Sequence, residues 1–149
     1  IAERCDEIDK SYENLKSKGY KLSNEAINEV KECMELSGKL FEEAIVAVAT
    51  GDDKVIDKMT RDKNKIRKIN RQCSKAHFGR VKNKKCSKAM SGDYTEILQN
   101  IGRITDNCVG IAEEALDNVK FMTLNAEEME QYGNVIDFSQ AKQVEGTEA

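Results

Sequence analysis

The sequence predicts an all-α fold, an up-and-down antiparallel bundle of long amphipathic helices. Three observations lead to this prediction. The 149 residues contain no proline, 34% of them are charged, and only 5% are aromatic. Apolar residues recur at alternating intervals of three and four, which places them along one face of a helix. No stretch approaches the roughly 18 consecutive apolar residues that a membrane-spanning helix needs.

A short turn separates the first two helices. The first is expected to end at Lys18-Gly19, because glycine readily takes the left-handed conformation that closes a helix. Ser23 is expected to cap the second helix, which should end at Thr50-Gly51. The residues expected to face the core are Ile1, Cys5, Ile8, Tyr12 and Leu15 on the first helix, and Ile27, Val30, Met34, Ser37, Phe41, Ala44 and Val48 on the second, where Leu40 and Ile45 widen the same face.

The third helix should open at Asp52-Asp53, and Asp93 should cap the fourth with Glu96 three residues later. Because the links between the first three helices are short, neighbouring helices should run antiparallel. The core residues expected on the third helix are Val55, Met59, Asp62, Ile66, Ile69, Cys73, Ala76 and Arg80. Those expected on the fourth are Tyr94, Ile97, Ile101, Ile104, Cys108, Ile111, Ala115, Val119 and Met122.

The chain divides into three predicted segments. The run Ile1-Ala2-Glu3-Arg4 is echoed 110 residues later by Ile111-Ala112-Glu113-Glu114, so we expect residues 1–19 to be the end of a preceding repeat. Residues 20–124 would then form a three-helix repeat. Residues 125–149 lose the apolar pattern and are predicted to be an acidic tail, with a short helix near Ala126 to Tyr132.

Charge is distributed unevenly along the chain. Between Arg61 and Lys88 there are 12 lysines and arginines and one acid, whereas the remainder has 12 basic and 26 acidic residues. This run predicts either a contact surface for anionic lipid headgroups or acidic loops, or a solvated helix face balanced by acidic neighbours. Nucleic acid is not expected as a partner, because the overall pI is about 5.4 and the run has only one aromatic residue for stacking. The surface residues concerned are Lys63, Lys65, Arg67, Lys68, Arg71 and Lys75.

Several short motifs, in order, resemble the PhoU family of helical domains. Arg103-Ile104-Thr105-Asp106, followed by Ile111-Ala112-Glu113, is similar to the "RIGD…NIAE" run of these domains. Ser23-Asn24-Glu25-Ala26 resembles the start of a PhoU repeat. His77-Phe78-Gly79-Arg80-Val81 resembles the "H-x-x-R-L" stretch that follows the middle helix, and is most similar to the PhoU-like cytoplasmic tail of bacterial sodium/phosphate cotransporters. The resemblance extends over about Ile1 to Leu124.

This resemblance implies a non-enzymatic regulatory domain on the cytoplasmic side of the cell membrane, attached to a sodium-dependent phosphate transporter. The transmembrane part of the same polypeptide would be its partner. A free-standing helical adaptor that binds another protein is the alternative. Catalysis is not expected, since the chain has one histidine and neither a G-x-x-x-x-G-K-[ST] loop nor a G-x-G-x-x-G turn.

Self-association is a further expectation for this chain. The apolar stripe of the first helix can fold back on its own bundle, but it can equally pack against a second copy, so we expect a homodimer.

The family's metal-binding pattern is only partly present. PhoU domains often carry an acidic E/D-x-x-x-D motif that gathers metal ions, and the matching positions here are Lys63, Arg67, Gly102 and Asp106. Asp62 and Asp106 are the weak candidates for metal ligands. Ion pairing of these acids with neighbouring cations is the competing interpretation. Cys73 and His77, four residues apart, are too few ligands for a structural zinc site.

We therefore predict that no cofactor is required and that no metal binds stoichiometrically, because hard cations need several converging oxygen ligands. Elemental analysis of protein purified without chelator should find well under one metal ion per chain. Iron, zinc or manganese near one per chain would contradict this.

Overall fold

The computed structural model describes the backbone of residues 1–132 and the side chains of residues 1–120. This part of the chain forms α1 (Ala2–Ser17), α2 (Asn24–Thr50), α3 (Lys54–Lys82) and α4 (Ser91–Tyr132), with one turn of 3-10 helix at Lys88–Met90. It contains no β-strand, so the all-α prediction is confirmed. Residues Ile1–Leu116 form one compact unit, and the described residues from Asp117 onward do not belong to it. The contacts below lie within the first unit.

Local chemistry sets most helix ends. The Ser23 hydroxyl accepts a hydrogen bond from the amide of Ala26 at 3.2 Å, which is the predicted cap of α2. Gly51 ends α2 with φ +67°, and Gly19 follows α1 with φ +74°, both in the left-handed region that glycine enters without strain. At the start of α3 the Asp52 carboxylate accepts from the amide of Lys54 at 3.0 Å, whereas Asp53 makes no capping bond.

The start of α4 differs from the prediction. The 3-10 turn leads directly into the helix at Ser91, so Asp93 lies within its first turn and is not the N-cap. Its carboxylate instead accepts a 2.6 Å hydrogen bond from the Asn14 amide group and lies 3.4 Å from the Lys18 ammonium. At the other end, α4 continues to Tyr132 without the break that predicted a separate helix over 126–132. Residues 133–149 of the expected tail lie outside the described residues.

Contacts between helices show that the four run alternately up and down. The end of α1 meets the start of α4 through Asn14 and Asp93. The ion pair Glu29–Arg80 joins the start of α2 to the end of α3. The ion pair Glu43–Lys58 joins the second half of α2 to the start of α3. On α3 and α4, Arg67 contacts Asp106 and His77 contacts Ser91, so these helices are antiparallel too.

The fourth helix forms the centre of the core. Within its first 26 residues it buries side chains around about half of its circumference, judged at 100° per residue. They are Tyr94, Ile97, Leu98, Asn100, Ile101, Ile104, Thr105, Cys108, Val109, Ala112 and Leu116. A helix with so wide a buried face must be covered from several sides, which fits its contacts to α1, α2 and α3. Of the core predicted on α4, Ile111 and Val119 are exposed and Ala115 is half-buried, and Met122 lies outside the residues whose side chains are described.

The buried face of α2 is not the one that the sequence predicted. Mostly small residues are buried there, namely Ala26, Cys33, Ser37, Leu40, Ala44 and Ala47. Of the predicted face, Ser37, Leu40 and Ala44 are buried and Val30 is half-buried, whereas the other five residues are exposed, namely Ile27, Met34, Phe41, Ile45 and Val48. Small side chains let two helix backbones approach closely, and the Ser37 and Thr105 hydroxyls of α2 and α4 meet at 3.1 Å. Apart from Leu40, the large apolar residues of the predicted face therefore lie at the surface or at the edge of the core.

On the other helices the predicted core is partly right. Helix α1 buries Ile8, Ser11 and Leu15, whereas Cys5 and Tyr12 are exposed, and its buried residues join the core of the same chain. Helix α3 buries Met59, Ile66, Cys73 and His77, whereas Ala76 is exposed and Asp62 is half-buried. All five cysteines are free thiols, and Cys33, Cys73 and Cys108 are buried, one on each of α2, α3 and α4.

The two faces of α2 predict opposite responses to truncation at neighbouring positions. Leu40→Ala should lower the free energy of unfolding by roughly 2–5 kcal/mol, because it leaves a cavity in the core. Phe41→Ala should change it by less than about 1 kcal/mol in dilute protein, because the ring is exposed. Urea denaturation followed by circular dichroism measures both. A larger loss for Phe41→Ala than for Leu40→Ala would show that the predicted stripe faces the core after all.

Candidate functional site

The six residues of the predicted basic surface are separated into three groups by the bundle. Arg67, Arg71 and Lys75 lie along the groove between α3 and α4. Lys65 lines a smaller cavity on the opposite side of α3, between α3 and α2. Lys68 is exposed and Lys63 is half-buried. The sequence therefore predicted one continuous surface. In the structure three of its residues line a groove, Lys65 lines a separate cavity, and Lys63 and Lys68 line neither.

The α3–α4 groove is an open depression of about 510 Å³, and its lining is cationic and polar. The remaining lining residues are Asn70, Ser74, Thr95, Leu98, Gln99 and Gly102. Asn70 donates a 3.1 Å hydrogen bond to the carbonyl of Leu98, which ties the two walls together. A Cβ atom on Gly102 would lie 3.5 Å from the Asn70 amide nitrogen, which is an ordinary van der Waals distance, so a methyl group would fit here.

Within the described residues, the groove's cations differ in their pairing. The Arg67 guanidinium donates a 2.8 Å hydrogen bond to Asp106, and both side chains are largely exposed. Arg71 and Lys75, like Lys63, Lys65 and Lys68, have no carboxylate within salt-bridge distance in this part of the chain. The acidic neighbours that would make this a balanced, solvated face are thus found at Arg67 alone. The positive charge of the others remains available to an anionic partner.

Both candidate metal ligands contact cations. Asp106 pairs with Arg67, and Asp62 lies 3.7 Å from the ammonium of Lys58 one turn earlier. Across the residues that the structure describes, no three His, Cys, Asp or Glu side chains are grouped so that they could hold a metal ion. Pairing of Asp62 and Asp106 with neighbouring cations is the interpretation that competed with metal binding. Whether the protein binds a metal ion remains a prediction.

A partly buried polar network joins the end of α3 to the starts of α2 and α4, next to the groove. Arg80 on α3 donates two 2.8 Å hydrogen bonds to the two carboxylate oxygens of Glu29 on α2. The Tyr94 hydroxyl on α4 donates a 2.5 Å hydrogen bond to the same carboxylate. The Arg80 guanidinium also lies 5.9 Å from the centre of the Tyr94 ring. One carboxylate therefore joins all three helices of the repeat.

His77 extends this network toward the start of α4. Its side chain is only 2% exposed, and its ring stacks on Tyr94 with the centroids 4.6 Å apart. The Nε2 atom lies 3.0 Å from the Ser91 hydroxyl, whereas Nδ1 is buried without a hydrogen-bond partner. This histidine is thus a buried structural residue, and only one of its two ring nitrogens has a hydrogen-bond partner.

The network shifts the protonation equilibria of its members. For Glu29, burial opposes ionisation, but the hydrogen bonds from Arg80 and Tyr94 outweigh it and lower the pKa of the carboxyl group. Burial, and to a lesser extent the charge of Arg80, lowers the pKa of His77, so this imidazole stays neutral at pH 7. Burial next to the Glu29 carboxylate raises the pKa of Tyr94. The arrangement thus holds one negative and one positive charge between the helices.

Sequence reasoning missed Glu29 and Ser91 as members of this network. A usable signal was present at Arg80, which falls on the predicted apolar seam of α3. An arginine that faces a core requires a carboxylate close by, and Glu29 is one of only a few acids that the antiparallel order places near it. The sequence contains no comparable signal for Ser91, because the 3-10 turn that positions it depends on how α3 and α4 pack.

The pKa shifts predict a loss of stability in acid. His77 has a lowered pKa in the folded state, so as pH falls through about 6.5 the unfolded chain binds this proton first and stability declines. The lowered pKa of Glu29 adds a second decline below about pH 4.5, by the same reasoning. Urea denaturation at pH 5 to 8 should show the first decline, and His77→Phe, which keeps a ring beside Tyr94, should abolish it. An unchanged pH dependence in His77→Phe would contradict the assignment.

Comparison with known proteins identifies the family. A search of curated proteins and a search of solved structures gave no significant match. The family model described as the PhoU domain matches residues 30–115, which is more than half of the chain. The matched segment contains most of α2, all of α3 and the groove wall of α4, so it coincides with the three helices that Glu29 joins. PhoU domains are regulatory helical domains associated with phosphate, and this chain belongs to the PhoU family.

Proposed function

We propose that this PhoU domain regulates phosphate uptake as the cytoplasmic, non-enzymatic part of a sodium/phosphate cotransporter-type membrane protein. Its working surface is the cationic groove with Lys68, which contacts anionic headgroups at the membrane or acidic loops of the membrane-spanning part. The observation that carries the proposal is that Arg71, Lys75 and Lys68 in this PhoU domain have no carboxylate within salt-bridge distance among the described residues. The motif around His77 to Val81, most similar to cotransporter tails, supports the choice of transporter.

The position of the cations favours an extended anionic surface. Arg71 and Lys75 are exposed and one helical turn apart, and Lys68 lies near them on the outer side of α3. Each lysine or arginine near a charged bilayer contributes about 1 kcal/mol, so a set of this size supports weak, salt-dependent binding. The described residues contain no helix apolar and long enough to cross a bilayer. Such a contact would therefore be made at the headgroup level by these helices.

The chemistry of the buried groups supports a role without catalysis. The single histidine is buried and stacked, so it cannot reach a substrate as a general base. Burial raises the pKa of the Cys33 thiol to about 12, which leaves almost no nucleophilic thiolate at neutral pH.

A free-standing adaptor is the second candidate function, and the exposed apolar face of α2 favours it. Ile27, Met34, Phe41 and Val48 lie exposed on one side of that helix. An adaptor would bind its partner through this face, and its activity would not depend on the cationic groove.

Charge neutralisation at the groove tests the membrane contact. The wild-type chain should sediment with phosphatidylserine vesicles at low salt and be released at high salt, because exposed charges are screened beyond about 8 Å at physiological salt. Arg71→Gln combined with Lys75→Gln should weaken binding several-fold. Lys10→Gln combined with Lys16→Gln removes the same charge from α1 and should have little effect. Equal binding to neutral vesicles, or equal losses in both double variants, would contradict the proposed contact.

The same variants test the assignment to phosphate uptake. In cells that express the whole reading frame, Arg71→Gln with Lys75→Gln should change the phosphate dependence of sodium-driven phosphate uptake, whereas the α1 double variant should leave it unchanged. A reading frame without membrane-spanning segments, or uptake identical in all three proteins, would favour the adaptor.

A further inference from the structure

We infer that the outer face of α2 binds the same face of a second copy of this chain, so that two α2 helices pair antiparallel across a two-fold axis. The outer face is defined here by Ile27, Met34, Phe41, Ile45 and Val48, which are 37 to 54% exposed. This inference is independent of the cationic groove, which lies on α3 and α4. It also differs from pairing through α1, because α1 is packed into the core of its own chain.

The outer face has the spacing of a helix–helix seam. With Lys31 and Gly38 included, its residues follow one another in steps of four and three from Ile27 to Val48. Such a repeat keeps one stripe facing a partner helix over about 32 Å, the length of 21 residues at 1.5 Å each. At 100° per residue, the small residues that pack in the core lie about 110° around α2 from this stripe. Large apolar residues are therefore concentrated on the side that its own bundle leaves uncovered.

The area of this face fits a dimer of moderate affinity. The five side chains expose on the order of 400 Å², which is comparable to the largest apolar patch of an ordinary monomer. Two such faces with flanking residues such as Val46 approach the roughly 1,000 Å² that a specific interface needs. Lys31 interrupts the seam near one end and can extend its charge to solvent, at a cost in affinity. The dissociation constant is therefore expected in the micromolar range.

The sizes of the seam residues select the antiparallel orientation. Gly38 lies near the middle of the seam, and a side chain built there would meet nothing within 4 Å. In an antiparallel pair, Phe41 of each copy can fill the space above Gly38 of the other, which occurs twice by symmetry. A parallel pair would instead place Phe41 against Phe41, leave a gap at Gly38 and bring the two Lys31 charges together. Large-to-small complementarity therefore favours the antiparallel arrangement.

Sedimentation velocity over a wide range of concentration tests the inference. The wild-type chain should be a dimer at high concentration, and Phe41→Lys should raise the dissociation constant by at least about 100-fold, because it removes two central contacts and places two charges at the interface. Phe78→Lys makes the same substitution at an exposed ring on α3 that lies off the seam, and should leave the dimer intact. Circular dichroism should show unchanged helicity in both variants.

Cross-linking tests the orientation. In a Cys5→Ser, Cys86→Ser background, Gly38→Cys should be joined efficiently to its mate by a short bismaleimide, whereas Ile27→Cys should not, because only a parallel pair brings the two copies of position 27 together. A wild-type chain that is monomeric at all concentrations, equal losses in the two lysine variants, or an undisturbed Phe41→Lys dimer would each overturn the inference. The first result would mean that a different protein or chain segment covers this face. The last would return the dimer to α1.

Discussion

The close approach of α2 to α4 is the constraint on which the rest of the bundle depends. Because α4 buries about half of its circumference, another helix must come near enough to cover it, and α2 does so with alanine, serine and cysteine. The hydroxyl pair Ser37–Thr105 marks the contact. With this mostly small side of α2 facing inward, Ile27, Met34, Phe41, Ile45 and Val48 are left exposed. The exposed apolar face of α2 and the wide buried face of α4 therefore both result from the way these two helices pack.

The polar network of Glu29, Arg80 and Tyr94 restricts how the packed helices can be oriented relative to one another. Apolar contacts tolerate small rotations of a helix about its axis, whereas the two-pronged bond between Arg80 and Glu29 does not. With the Tyr94 hydroxyl on the same carboxylate, α2, α3 and α4 have one relative position at this end. The cationic groove begins only a few residues before Arg80 on α3, so the spacing of its two walls depends on this network as well as on the Asn70–Leu98 hydrogen bond within the groove.

Much of the fold could be predicted from the sequence because its main signals are local. The absence of proline, the Ser23 cap and the glycines after α1 and α2 act within a few residues, and they gave the helices and most of their ends. Which side of α2 is buried depends instead on the shape of α4, and the larger apolar residues misdirected the prediction there. At Asp93 the expected cap was replaced by a contact to Asn14 of α1, 79 residues away in sequence.

For the candidate site, too, the features set by local sequence could be predicted, whereas those set by helix packing could not. The run of cations from Lys63 to Lys75 was visible in the sequence, and so was the loss of the acidic motif beside Asp106. The grouping of Arg67, Arg71 and Lys75 in one groove required the packing of α3 on α4. Local periodicity indicates which residues share a helix, but it cannot indicate which neighbouring helix each one meets.

The distribution of free thiols has a consequence for observing how this bundle moves. Cys33, Cys73 and Cys108 place one buried sulfhydryl on each helix of the repeat, and Cys5 on α1 is exposed. A thiol reagent modifies Cys5 at once, but it reaches the others only when their own helix separates from its neighbours. Because Cys33 and Cys73 interact with each other, their rates would report how often α2 and α3 separate, and the rate of Cys108 would report on α4, without engineered cysteines.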